Sequence, residues 1–266
     1  MANISIAVLN SSTVLKDDEV APVVLALQKQ VTRDFAPAWG MDAVVTFVSG
    51  GNIPPPSSWQ LVILDNSDRA GALGYHDLTP LGLPLGKVFA GTDKQNNLSW
   101  SVTASHELLE MLADPDINLT AFVQSSAAAG RLYAYEVCDP CEDDSFGYTI
   151  DNVLVSDFVY PSWFESFWQA GTVQFDFANK IQNPFELLMG GYIGVFDIGK
   201  GSGWHQLNAD LTQLRYHYRA HVGSRRERRN ITRNQWMRSR GENFCKESAV
   251  VGQPIGDSAS FSSSKL

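Results

Sequence analysis

The chain has 266 residues, 44% of them hydrophobic and 18% charged, with a formal net charge of −9. Such a composition excludes wholesale disorder, and the absence of an 18-residue apolar run excludes a membrane-spanning helix. The length suits one large domain or two small ones. Three cysteines are too few for a disulfide framework, so a reducing compartment is expected. The charge is unevenly placed. Residues 1–200 hold 9 Lys/Arg and 24 Asp/Glu, a balance of −15, whereas residues 201–266 hold 11 and 5, a balance of +6. The acidic body disfavours nucleic acid as a partner, except through the arginine-rich stretch Arg225–Arg240. That stretch can equally dock on the protein's own acidic face.

Met1 to Val8 lacks a basic segment and a long apolar stretch, so Ile4 to Leu9 reads as a first strand rather than part of a signal peptide. From Asp17 to Phe35, Val20, Val23, Val24, Leu27, Val31 and Phe35 recur at threes and fours, which predicts a helix with one apolar face. Strands are predicted over 43–48 and 60–65, and an edge strand over 87–90, with the glycine- and proline-rich 71–86 as loop. Leu98 to Ala113 predicts a second helix. The resulting β-α-β-β-β-α order implies an α+β fold with helices on a mixed sheet. Beyond Pro115 the chain becomes strand- and loop-rich. Leu132 to Val137 alternates as a strand, 148–160 reads as a hairpin turning at Asp151-Asn152, and Trp163, Phe164, Phe167 and Trp168 form an aromatic cluster. Gly190-Gly191 marks a bend beside a strand. A helix is possible over 207–220, followed by a polar tail.

The chemistry concentrates in Ser105-His106-Glu107-Leu108-Leu109-Glu110-Met111-Leu112-Ala113-Asp114-Pro115-Asp116. On a helix, His106 and Glu110 stand one turn apart on the same face and can reach one ion, with Glu107 beside them. Pro115 disfavours helix at Asp114, so the chain turns there and Asp114 or Asp116 can swing back as a further ligand. A second acidic segment, Glu136-Val137-Cys138-Asp139-Pro140-Cys141-Glu142-Asp143-Asp144, follows a strand. Its Glu136 and Asp139 can serve the same ion or a separate calcium-type site. The competing readings are a solvated helix face for the first segment and an acidic turn for the second.

The helical segment resembles the H-E-x-x-H site of the zincin metallopeptidases, especially the longer metzincin pattern, over roughly residues 1–120. His106 and Glu107 agree with that pattern and Asp116 matches its Asp variant. Glu110 stands in place of the second histidine, and Ala113 in place of a glycine. The segments HELLEMLADPD, YEVCDP and VSDFVYPSWF also resemble a group of uncharacterised bacterial and phage proteins. The resemblance implies a zincin-like mixed sheet with an active-site helix over 1–120, a subdomain over 121–222 completing the same globule, and an Arg-rich segment and tail over 223–266. It implies a metal-dependent peptidase or amide hydrolase taking peptide or protein substrates. His106, Glu110, Asp116, Asp114, Glu136 and Asp139 are the candidate ligands, zinc or another divalent cation such as calcium the cofactor, and Glu107 the catalytic proton carrier. The alternative is a non-catalytic, phage-associated structural or partner-binding protein with a carboxylate-rich cation site. A cytoplasmic or virion-associated location is expected, with Ser264-Lys265-Leu266 acting as a peroxisomal address only in a eukaryote.

Several other residues have weaker functional readings. Cys138-x-x-Cys141 is a lone pair in an acidic loop, which suits neither a structural zinc site nor redox catalysis. His217 and His221 are packing or surface histidines, and His76 a loop histidine with a possible contact to a substrate cleft. Tyr133, Tyr135 and Tyr148 are candidate oxyanion donors. Met189 is a core residue in preference to a methionine floor beneath a metal.

Overall fold

Strand β1 (Ile4–Asn10) lies between two parallel neighbours, β2 (Ala43–Val48) and β3 (Trp59–Leu64). β5 (Pro84–Phe89) continues the parallel set beside β3. β4 (Gly74–Leu78) closes the sheet antiparallel to β5, giving the order β2-β1-β3-β5-β4. These are features of a computed structural model, which describes residues 4–49, 52–68, 72–199 and 203–209.

The predicted strands over 4–9, 43–48 and 60–65 are present within a residue at each end. The sheet differs from expectation at one edge. The segment read as loop forms β4, and the stretch expected at the edge belongs to β5, one place further in. Helix α1 (Asp17–Lys29) crosses between β1 and β2. Asp17, Asp18 and Glu19 occupy its first turn, where carboxylates suit the helix dipole, and Glu19 accepts the Lys16 amide at 2.9 Å. The helix widens into π-type turns over Gln30–Phe35 and ends in α2 (Ala36–Trp39), closed by Gly40 at φ 69°. All six apolar residues of the predicted face are buried.

After β5, a short helix α3 (Ala90–Gln95) leads to α4 (Trp100–Ala113). Every residue of α4 from Ser101 to Ala113 is buried, so the solvated-face reading is wrong. Val102, Leu108, Leu109 and Leu112 are fully enclosed, and burial of side chains this size contributes about 1.5–3 kcal/mol each. The polar residues of α4 anchor it on several sides. Ser101 Oγ donates to the Leu154 carbonyl at 2.6 Å, Thr103 Oγ1 to Asp93 at 2.9 Å, and Ser105 Oγ to Gln30 at 2.6 Å. Such bonds fix the rotation of the helix about its axis, and with it the direction of His106, Glu107 and Glu110. The helix stops at Asp114, as Pro115 predicts.

The second half supplies an antiparallel sheet of order β11-β10-β7-β6, from β6 (Thr120–Ser126), β7 (Ala129–Ala134), β10 (Tyr192–Ile198) and β11 (Trp204–Asn208). Between β7 and β10 comes the predicted hairpin, β8 (Tyr148–Ile150) and β9 (Val153–Val155). It turns through Asp151 and Asn152 at φ 50° and 67°, the backbone of a type I′ turn. Trp163 and Phe164 are buried, whereas Phe167 is exposed. The fold is α+β, and residues of both halves share one hydrophobic core. Leu207 and Asn208, expected to begin a helix, end β11 instead. The described residues belong to one compact unit, and none of their helices is long and apolar enough to cross a membrane. The expectations for residues 210–266, including His217, His221, the arginine segment and the C-terminal tripeptide, lie outside the described residues.

Candidate metal centre

Helix α4 packs against β4 and β5, which directs His106, Glu107 and Glu110 into a cavity. β4 contributes His76 from the opposite wall. The chain leaving β7 contributes Glu136. A single 3₁₀ turn, Asp139–Cys141, presents Asp139, and Glu142 follows it. Tyr192 and Trp204, from β10 and β11, complete the side formed by the second half. His76, His106, Glu107, Glu110, Glu136, Asp139 and Glu142 are all buried.

Two glycines make this convergence possible. A Cβ on Gly74 would lie 2.7 Å from Glu107 Oε1 and 2.8 Å from Thr103 Cγ2, so β4 approaches α4 only with glycine there. A Cβ on Gly191 would lie 2.2 Å from the Pro140 carbonyl oxygen, which accepts the Leu188 amide at 2.9 Å. The stretch before β10 is thereby pressed against the turn carrying Asp139.

The spacing of the donor atoms carries chemical information. His106 Nε2 is 3.4 Å from Glu110 Oε2 and 3.3 Å from Asp139 Oδ1. A charge-assisted hydrogen bond would draw such atoms to about 2.7–2.9 Å. Four donors bound tetrahedrally about 2.0–2.1 Å from one ion stand about 3.3 Å apart. His106, Glu110 and Asp139 therefore fit a coordination shell, and each can offer an atom within 4.8 Å of the others. Cys138 donates its amide to Glu110 Oε1 at 3.2 Å, and Tyr192 hydrogen-bonds Asp139, so both carboxylates are oriented from behind.

The electrostatics point the same way. Burial opposes a charge on His106, yet Glu110, Asp139 and Glu107 hold its imidazole well above the ordinary range. Burial, with repulsion from Asp139 and Glu136, pushes the Glu110 carboxyl well up. Burial and the nearby Glu136 likewise raise Asp139. Carboxyls that hold their protons this tightly lie in a site short of positive charge, which is the condition a cation relieves.

Of the predicted ligands, His106, Glu110, Glu136 and Asp139 converge, together with Glu107. Asp114 and Asp116 do not. The Asp114 carboxylate turns away from the cavity to accept the amides of Asn118 at 3.0 Å and Leu119 at 2.8 Å, closing the loop after α4. Asp116 is exposed on that loop. The swing-back expected after the Asp-Pro stop is thus spent on local backbone amides. His76, read as a loop residue, is a strand residue in the cavity wall. Tyr192 was not singled out from the sequence. Tyr148 donates to Asp34 at 2.9 Å, Tyr133 packs on Phe185 and Tyr135 on Phe164, and none of the three lines the cavity. Met189 is half exposed rather than a core residue. Cys138 and Cys141 are free, and burial pushes both thiols well above their usual range, which suits packing rather than redox work.

No family model, curated protein or solved structure matches the chain.

Proposed function

We propose that the chain is a metal-dependent hydrolase of zincin type, acting on peptide or amide bonds, with a divalent ion held by His106, Glu110 and Asp139. The observation that carries this reading is the 3.3–3.4 Å spacing of His106 Nε2 from the carboxylates of Asp139 and Glu110, all buried, with a further carboxylate, Glu107, beside them. Zinc is the ion proposed because it accepts imidazole and carboxylate ligands together, and the two carboxylates also admit a harder divalent cation. When bound, it supplies the Lewis acidity that polarises a carbonyl and acidifies water.

The protein's own groups do the rest. Glu107 lines the cavity next to the proposed ligands, and its carboxylate takes a proton from the attacking water and returns it to the leaving amine. His76 Nδ1 lies 3.5 Å from Glu107 Oε2 in the same cavity. Cys138 and Tyr192 keep the two acidic ligands aimed at the cavity.

Metal analysis of purified protein and hydrolysis of a peptide library test the assignment. Glu107→Gln is expected to retain the ion and lose about 10²–10⁴-fold in rate, the usual contribution of a positioned proton carrier. His106→Ala is expected to lose the ion. Normal hydrolysis by Glu107→Gln overturns the mechanism, and unchanged metal content in His106→Ala overturns the site. One observation favours a second reading. Five carboxylates against few imidazoles make a hard, oxygen-rich site that suits calcium in a non-catalytic domain. Calcium raising the melting temperature, with zinc inert and no hydrolysis, would establish that reading instead.

A further inference from the structure

We infer that the cavity binds two divalent cations, the second on His76 and Glu136, with Glu110 shared between both. This rests on the reading that His106, Glu110 and Asp139 hold the first.

The cavity contains two sets of potential ligands rather than one. His76, Glu110 and Glu136 can bring three donor atoms within 4.8 Å of one another, as can His106, Glu110 and Asp139. Each set has one imidazole and two carboxylates, and Glu110 belongs to both. Glu110 Oε2 is 3.4 Å from His106 Nε2 and 3.5 Å from His76 Nδ1, nearly midway between the two imidazoles. Its Oε1 accepts the Cys138 amide, so Oε2 is the oxygen that faces both imidazoles and would bridge the two ions. Centres of this kind hold their metals about 3.5–4 Å apart.

A protonated His76 clamped between carboxylates would be the simplest alternative. Its Nδ1 lies 3.5 Å from Glu107 and Glu110 and its Nε2 3.8 Å from Glu136, well beyond charge-assisted hydrogen bonds. Only one of the two nitrogens can meet an ion shared with Glu110 and Glu136, and one donor atom from each of the three lies within 4.8 Å of the others.

Glu107, Glu110, Glu136, Asp139 and Glu142 line the cavity, enough carboxylate donors for two ions. The second site also has a structural effect, since His76 stands on β4 and Glu136 follows β7. The ion would join the edge of the first sheet to the antiparallel sheet of the second half.

The full chain, stripped with a chelator and reloaded with Mn²⁺ or Zn²⁺, tests this by elemental analysis. The expected content is about two ions per chain, falling to about one in His76→Ala and in Glu136→Gln. Electron paramagnetic resonance of the Mn²⁺-loaded protein should show an exchange-coupled pair that becomes an isolated-ion signal in either variant. The near-isosteric Glu136→Gln keeps the test decisive if His76→Ala does not fold. One ion per chain, lost in His106→Ala and retained in Glu136→Gln, overturns the second site and leaves the first intact. No bound metal at all overturns both. Two ions whose content and coupling are unchanged in both His76→Ala and Glu136→Gln overturn the assignment of these residues.

Discussion

Gly191→Ala tests whether the fold holds Asp139 at the ion. The new Cβ would sit 2.2 Å from the Pro140 oxygen, 2.7 Å from its carbonyl carbon and 3.0 Å from the Leu188 oxygen. All three are backbone atoms, so no side chain can rotate away. Ordinary contact requires the two segments to separate by roughly 1 Å. Pro140 is bonded directly to Asp139, so the carboxylate moves with it. Metal ligands tolerate about 0.2 Å of displacement, and loss of support behind a ligand typically costs about 10–100-fold in affinity. The expected outcome is therefore a zinc affinity at least about 10-fold weaker, measured by competition with a chromophoric chelator. The melting temperature of the metal-free protein provides the control for general damage. A zinc affinity within about twofold of wild type would refute the claim that this backbone contact positions Asp139.

Two further predictions concern other parts of the structure. Burial and the adjoining Asp176 carboxylate raise Asp157 to about 9. The folded state therefore keeps a proton that the unfolded chain releases near pH 3.8. This stabilisation is complete below that value and is lost as pH rises through about 9, at about 1.4 kcal/mol per pH unit. Urea unfolding of wild type and Asp157→Asn should diverge by about 4 kcal/mol between pH 5 and 8, with the variant gaining relative stability; a pH-independent difference contradicts the shared proton. Asp114→Ala removes two backbone-to-carboxylate hydrogen bonds at a fully buried position and should cost about 2–4 kcal/mol with metal content unchanged. Loss of the ion in a folded Asp114→Ala protein would restore Asp114 as a ligand.

The parts of the site that the sequence revealed are those set by local geometry. His106, Glu107 and Glu110 follow from helical spacing within one segment, and burial of α4 fixes which way they point. Asp139 and Glu136 were visible as members of an acidic run, although only long-range packing against Gly191 and β10 selects them over Asp143 and Asp144. His76 was obscured because β4 is short, contains no β-branched residue, and exists through its pairing with β5. Asp114 illustrates the opposite error. The Asp-Pro pair correctly marks the helix end, but the direction of the carboxylate was decided by the nearby amides of Asn118 and Leu119. The charge asymmetry also acquires a structural meaning, since part of the acidity of the body lies inside the molecule rather than on its surface.

The most direct test of the central claim is anomalous diffraction at the zinc edge from crystals of the full chain grown with zinc. The account predicts a peak bounded by His106 Nε2 and the carboxylates of Glu110 and Asp139. A peak on Asp114 or Asp116, or none in that cavity with zinc in excess, would contradict it.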